Sequence, residues 1–223
     1  MTPHHARPVP AWTIIIPVKN TSVAKTRLRR FDQTVRATLA QAFALDSATA
    51  ALGCPLVRQV VAVTNDEPAG RALVSVGVEI IADTPDDGLN RALVHGVDVV
   101  RRNDPSAAVA AMSGDLPALR AEDLSAAFDA AVGVPRWFVA DATGTGTTLL
   151  AAGTGARLRP AFGADSREQH RKGGAVDLAS GDLARLRRDV DTEDDLRDAA
   201  LLGLGPFTMA ALARLDGAAD FQK

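Results

Sequence analysis

Residues Thr13 to Leu28 read TIIIPVKNTSVAKTRL. The first part, Thr13-Ile14-Ile15-Ile16-Pro17-Val18, is an unbroken apolar, β-branched run. A run with no polar alternation predicts a strand covered on both faces, as in a parallel sheet. It breaks into a polar loop carrying Lys19, Lys25 and Arg27. Ligands of open α/β sheets bind beyond the carboxyl ends of the strands, so this loop brings three positive charges to the expected crevice. That charge set suits a polyphosphate, with a solvated basic loop as the plain alternative. The stretch contains neither GxxxxGK[ST] nor GxGxxG, which excludes a Walker loop and a dinucleotide fingerprint there.

Outward from this stretch the periodicity alternates. Asp32 reads as the N-cap of a helix over Gln33–Leu52, with Val35, Leu39, Ala42, Phe43 and Ala50 at helical spacing and Gly53 ending it. Val57–Thr64 reads as a strand, Ala69–Val76 as a short helix and Val78–Ala82 as a third strand. A helix from Leu89 to about Arg102 and the strand Ala107–Ser113 follow. Then come a helix over 122–132, strands at Trp137–Ala140 and Leu149–Ala152, and helices at Glu193–Leu202 and Phe207–Leu215. Strands alternating with helices predict an α/β, three-layer α/β/α domain with a mostly parallel sheet. We expect one domain over residues 12–215, with flexible segments at 1–11 and 216–223.

The length of 223 residues suits one such domain. Hydrophobic residues at 47% and charged residues at 23% mark a globular chain. A net charge of −2 argues against bulk nucleic-acid binding. The single cysteine, Cys54, excludes an internal disulfide and a multi-cysteine zinc site, and its apolar setting reads as a small buried residue. No apolar run reaches membrane-spanning length, and the start, MTPHHARPVPA, has no signal-peptide core. A cytoplasmic protein is expected. His4 and His5 have no further ligands near them, so no metal is assigned there.

Several polar positions fall at the crevice edge. Asn90, at the start of its helix, can contact a nucleotide or cap the helix. Asp115, in Gly114-Asp115-Leu116-Pro117, ends the fourth strand. A carboxylate there can hold a metal ion at a phosphate site or cap the next turn. Asp141 to Thr148 holds two glycines and four threonines. These are the ingredients of an anion-binding nest or of a hairpin turn. Ser166, three residues before Gln169, fits a capping box and a helix start that would present N–H groups to an anion. His170 is left without a role. Asp189 and Asp191 would share one face of an extended segment, and Thr192 reads as the N-cap of the helix that follows.

Taken in order, IPVK-x4-AKTRL, GDLP, TGTGTT, FG-x2-S-x3-H and DVDT-x2-DL resemble the phosphoenolpyruvate or 2-phospho-L-lactate guanylyltransferases of coenzyme F420 biosynthesis. The resemblance spans about residues 12 to 200. It implies a nucleotide-diphospho-sugar transferase-like (Rossmann-like) fold, with side-chain cations where many relatives of the wider group use a glycine-rich first loop. It also implies a reaction in which GTP and phosphoenolpyruvate give enolpyruvoyl-2-diphospho-5'-guanosine and pyrophosphate. Lys19, Lys25 and Arg27 would then be catalytic, and Lys19, Lys25 and Asn90 would hold the nucleotide. Thr148, Gly163 and Ser166 would hold phosphoenolpyruvate. Asp115 and Asp191, with Asp189 in reserve, would bind Mg²⁺. The alternatives are 2-phospho-L-lactate as acceptor, a sugar-nucleotide transferase or cytidylyltransferase on the same sheet, and a nucleotide-binding module without turnover. GTP and phosphoenolpyruvate are the expected partners, with no nucleic acid and no membrane.

Overall fold

The structure, a computed structural model, describes residues 12–19, 25–178 and 182–220. The expected flexible segment 1–11 and the end of the expected tail, 221–223, lie outside the described residues. In chain order the elements are β1 (Trp12–Pro17), α1 (Gln33–Gly53), β2 (Val57–Val63), α2 (Glu67–Ser75), β3 (Glu79–Ile81), α3 (Leu89–Asn103), β4 (Ala108–Met112) and α4 (Ala121–Ala130). They continue with β5 (Arg136–Ala140), β6 (Thr147–Ala152), α5 (Ser166–Lys172), β7 (Val176–Asp177), α6 (Ala184–Arg187), α7 (Glu193–Leu202) and α8 (Pro206–Asp220). The last helix runs past the expected end at Leu215.

The seven strands form one sheet in the order β3-β2-β1-β4-β6-β5-β7. β1 pairs in parallel with β2 and β4, β2 with β3, and β5 with β7; β6 alone is reversed, antiparallel to both neighbours. β1 lies inside the sheet, and Ile14, Ile15 and Ile16 are fully buried. Ile14 and Ile16 pack with α1, α2, α4 and α6 on one face, and Ile15 packs with α3 on the other. Burial on both faces is the physical reason the run carries no polar position. Each isoleucine contributes about 1.5–3 kcal/mol. Gly96 lets α3 lie close against the sheet, because a Cβ there would meet Val63 at 2.7 Å and Ile15 at 3.0 Å.

A third cluster joins α1 to α7 and α8 through Leu39, Phe43, Leu196, Ala199 and Ala211, with Val190 among them. The buried carboxylate of Asp46 in α1 accepts the Phe207 and Thr208 N–H groups at 3.0 and 2.8 Å. It thereby caps α8 from outside that helix. The N-caps expected at Asp32 and Thr192 are present, the latter in a reciprocal capping box with Asp195. Ser166 is not a cap. It is the first helical residue of α5, and the cap position is Asp165, in a left-handed conformation with no side-chain bond.

Candidate active site

The carboxyl ends of β1 to β5, and the amino end of the reversed β6, meet along one edge of the sheet. Gly114 permits the tight exit of β4, since a Cβ there would meet Ile16 at 3.0 Å. Asp115 follows. The Val190 N–H donates to the Asp115 carbonyl at 3.0 Å, and the Val190 side chain is buried. Asp189 and Asp191 therefore flank an anchored residue beside Asp115. Asp195 fixes the next turn by accepting the Thr192 N–H at 2.8 Å and the Asp191 N–H at 3.2 Å.

Into this carboxylate group comes Lys25. Its ammonium hydrogen-bonds Asp115 and lies 3.1 Å from Asp191 Oδ1, with the side chain only 11% exposed. Arg27 reaches Asp191 Oδ2 at 3.5 Å from an exposed position. Burial opposes the Lys25 charge, but the attraction of Asp115 and Asp191 outweighs it and raises the pKa above the ordinary lysine value. Asp189 is pushed up to about 7 by burial, then by the charges of Asp115, Asp191 and Asp141. Three carboxylates thus stand with two cations, Lys25 and Arg27, in this group. Among the described residues, no three histidine, cysteine or carboxylate side chains are arranged to hold a metal ion on their own.

Lys19 is not with them. Its ammonium lies 2.9 Å from Asp83 Oδ2 and 3.2 Å from Asp86 Oδ1, beyond the end of β3. The hydrogen bond it donates to Asp83 raises its pKa against some desolvation. The three expected cations are split across β1, with Lys25 and Arg27 on the β4 side and Lys19 on the β3 side. The loop after β3 is further tied by Asn65, whose amide donates to the Asp83 carbonyl at 2.8 Å and accepts the Asp83 N–H at 3.0 Å.

On the other flank is β6. The Ser113 N–H donates to the Thr148 carbonyl at 2.8 Å, one strand over from the Asp115 tip. Opposite β5 the register shifts, with Val139 facing Leu149 and Ala140 facing Thr147, so Thr148 is the extra residue of a bulge. Bulges re-aim side chains. The Thr148 hydroxyl is fully buried and, among the described residues, has no hydrogen-bond partner. Ser166 is also buried, and its N–H donates to the Gly163 carbonyl at 3.2 Å. Gly163 has φ +126°, which a side chain would strain.

Two features of this flank bear on the expected site. Asn90, expected at the nucleotide, has one amide hydrogen and its oxygen engaged by a backbone. It donates to the Phe162 carbonyl at 3.0 Å and accepts the Phe162 N–H at 2.8 Å. It is not a cap, since Gly88 holds that position. The Thr/Gly loop is a hairpin turn between β5 and β6 and not an open anion nest. Asp141 takes its donors, accepting the Thr145 N–H at 3.0 Å and the Thr143 hydroxyl at 2.9 Å.

Residues 12–222 match the family described as guanylyl transferase CofC like. The chain belongs to this family. Within the CofC-like guanylyl transferases it is 50% identical over 205 residues to the phosphoenolpyruvate guanylyltransferase of Streptomyces coelicolor, covering 92% of this chain and 97% of the relative. It is 48% identical over 204 residues to the enzyme of the same name from Thermomonospora curvata, covering 92% and 90%. Among solved structures, a putative nucleotide-diphospho-sugar transferase from Desulfovibrio desulfuricans superposes with a TM-score of 0.64 at 18% identity, covering 93% and 96% of the two chains. A cytidylyltransferase from Leptospira borgpetersenii gives 0.54 at 14% identity, covering 95% and 96%. These structures share the fold, as expected.

Sequence reasoning missed the residues that hold other residues. Asp83 ends a parallel strand just as Asp115 does, and that rule would have found it. His170 and Asp141 carry no comparable local signal, because their partners come from the fold.

Proposed function

We propose that this CofC-like chain transfers the guanylyl group of GTP to phosphoenolpyruvate, giving enolpyruvoyl-2-diphospho-5'-guanosine and pyrophosphate in coenzyme F420 biosynthesis. The observation that carries the reading is the buried Lys25 ammonium between Asp115 and Asp191 at the end of β4. That is charge chemistry built for phosphates, in a family of guanylyl transferases. The acceptor is read from the names of the relatives. A phosphate oxygen of phosphoenolpyruvate attacks the α-phosphorus of GTP, the bond to the β-phosphate oxygen breaks, and pyrophosphate leaves.

Transfer of this kind needs positioning and neutralisation more than covalent help. Lys25 stays an ammonium because its carboxylate partners raise its pKa. It therefore offers fixed positive charge to phosphate oxygens at any physiological pH. Arg27 is exposed enough to follow the departing pyrophosphate. Thr148, Gly163 and Ser166 orient the acid on the β6 flank. The nucleoside then extends toward β3, where Lys19 stands.

Asp115, Asp191 and Asp189 stand close enough that burial, then the neighbouring carboxylates, push Asp189 up to about 7, and such a set of hard oxygen donors fits Mg²⁺. This ion takes one or two carboxylates and completes its shell with water and substrate phosphates. Asp115 and Asp191 would hold it, with Asp189 beside them. The chemistry supplied there would be Lewis-acid neutralisation of phosphate charge. No described helix is long and apolar enough to cross a membrane, and the reading places the enzyme in the cytoplasm with its substrates. The deciding experiment is pyrophosphate release with each nucleoside triphosphate crossed against phosphoenolpyruvate, 2-phospholactate and 3-phosphoglycerate. Turnover only with GTP and phosphoenolpyruvate is expected. Preference for another pair would overturn the assignment.

A further inference from the structure

His170 is buried in α5, and both edges of its ring are used. Nε2 lies 2.9 Å from the Ala161 backbone nitrogen, and Nδ1 lies 2.9 Å from Thr147 Oγ1. A backbone N–H can only donate, so Nε2 is the acceptor. The ring proton is therefore on Nδ1 and is donated to the Thr147 hydroxyl. Phe138 and Phe162 flank the ring at centroid distances of 5.8 and 5.2 Å. Burial, then the charge of Arg136, lowers the imidazole pKa to about 4, so this tautomer persists at neutral pH.

The placement of these bonds gives them meaning beyond packing. One lands next to Thr148, the bulged residue with the unused hydroxyl. The other lands two residues before Gly163. Ser166 is four residues before His170 on the same helix, and so on the same face. One ring thus ties together the strand, the loop and the helix that carry the three acid contacts. Asn90 grips the same loop from α3, through the N–H and the carbonyl of Phe162.

We propose that His170 is the positioning residue of the acid subsite, setting Thr148, Gly163 and Ser166 relative to one another through the two edges of its ring, with Asn90 fixing the loop from the opposite side. This rests on the reading of those three residues as the phosphoenolpyruvate contacts. Small errors of position in such a constellation cost heavily, on the order of a hundredfold for about 1 Å. A histidine that served only the core would affect both substrates alike or neither.

Two variants separate the two edges. His170→Asn keeps a donor near the Nδ1 position and loses the Ala161 bond, and His170→Gln keeps an acceptor near Nε2 and loses the Thr147 bond. Steady-state kinetics of both, with Asn90→Ala and Ser166→Ala alongside, would vary each substrate at saturating levels of the other. Amide exchange at residues 161–163 would be followed in the same proteins. The expected result is a phosphoenolpyruvate KM raised about tenfold or more in the His170 and Asn90 variants, a GTP KM within about twofold of wild type, and faster exchange at 161–163. If Ser166→Ala raises that KM while the His170 and Asn90 variants leave it unchanged, His170 is a core residue and the inference fails. If Ser166→Ala leaves it unchanged as well, the acid-site reading fails and takes this inference with it. Should the His170 variants not fold, Thr147→Val, which removes only the hydroxyl partner of Nδ1, carries the same test.

Discussion

Replacing Thr148 by valine should raise stability and lower activity together. The Thr148 hydroxyl is buried without a partner among the described residues, which is a cost the folded chain carries for no structural return. Enclosing such a group costs roughly 1–3 kcal/mol in proteins. Valine keeps the shape and removes the polar atom, so a gain of about 1 kcal/mol is expected. For a chain of this size, that is a rise of about 2–4 °C in Tm. If the same hydroxyl meets the phosphoenolpyruvate carboxylate or phosphate, losing a hydrogen bond to a charged group costs roughly 1.5–3 kcal/mol. The phosphoenolpyruvate KM then rises about tenfold to a hundredfold, and the GTP KM does not follow. Because the residue is fully buried, substrate reaches it only by displacing the groups over it. The assay is differential scanning calorimetry with and without phosphoenolpyruvate, followed by steady-state kinetics. The variant should melt higher alone and gain less from the ligand, by about 1.4 kcal/mol for each tenfold loss in affinity at saturating concentration. A lower Tm with unchanged kinetics would refute the reasoning, because the hydroxyl would then be satisfied by water in the folded chain and irrelevant to the acid.

Asp115→Asn should keep the fold, since the backbone of residue 115 is held by Val190. It should reduce Mg²⁺-dependent turnover about a hundredfold or more, and near-normal rates at saturating Mg²⁺ would take Asp115 off the ligand list. Lys25→Ala should lower kcat more than it raises the GTP KM, because its charge meets phosphate charge that develops in the transition state; a change in KM alone would make it a uniform binding residue. The neutral His170 gives stability a pH dependence. Its folded pKa of about 4 lies below the ordinary 6.5, so the unfolded chain binds the proton first. Stability from this group is fully present above about 6.5 and is lost as pH falls toward 4, at up to about 1.4 kcal/mol per pH unit. Asp189, held up to about 7, works in the opposite direction over the same window, so the readout is the difference between the two proteins: the urea midpoint of wild type relative to His170→Gln should fall from pH 7 to pH 5, and a constant difference would remove His170 as a source.

The layer order and the position of the crevice were legible because burial on both faces leaves its mark on sequence. The Ile14–Ile16 run has no polar residue for the reason that neither face of β1 is wet. Direction is a different matter. Leu149–Ala152 is equally apolar whichever way it runs, and only the connection tells. Asp141–Gly146 is too short for the dozen or more residues that a parallel crossover needs, so a hairpin and a reversed β6 were the only outcome open to it. β7 and α6 have two and four residues, and neither is long enough to express a period.

At the site, residue type and strand position placed Asp115 at the crevice, because a carboxylate at a strand tip must lie there, whereas Asp191 was assigned to it only through the family resemblance. What they could not supply is how much hydrogen-bonding capacity each polar group has left after folding. Asn90 looked free to meet a nucleotide, yet Phe162, 72 residues away, engages both ends of its amide. Lys19 looked like a partner of Lys25, yet Asp83 and Asp86 draw it to the other side of β1. Thr148 looked like one threonine among several, yet its hydroxyl alone in the stretch from Thr143 to Thr148 is buried and unused. Such partners come from distant parts of the chain, so local pattern carries no trace of them. The distinction between a polar residue that builds a site and one that meets the substrate therefore lies in what the fold has left unsatisfied. By that measure His170 and Asn90 spend their polar groups on the fold, and Thr148 keeps a hydroxyl that a ligand could use.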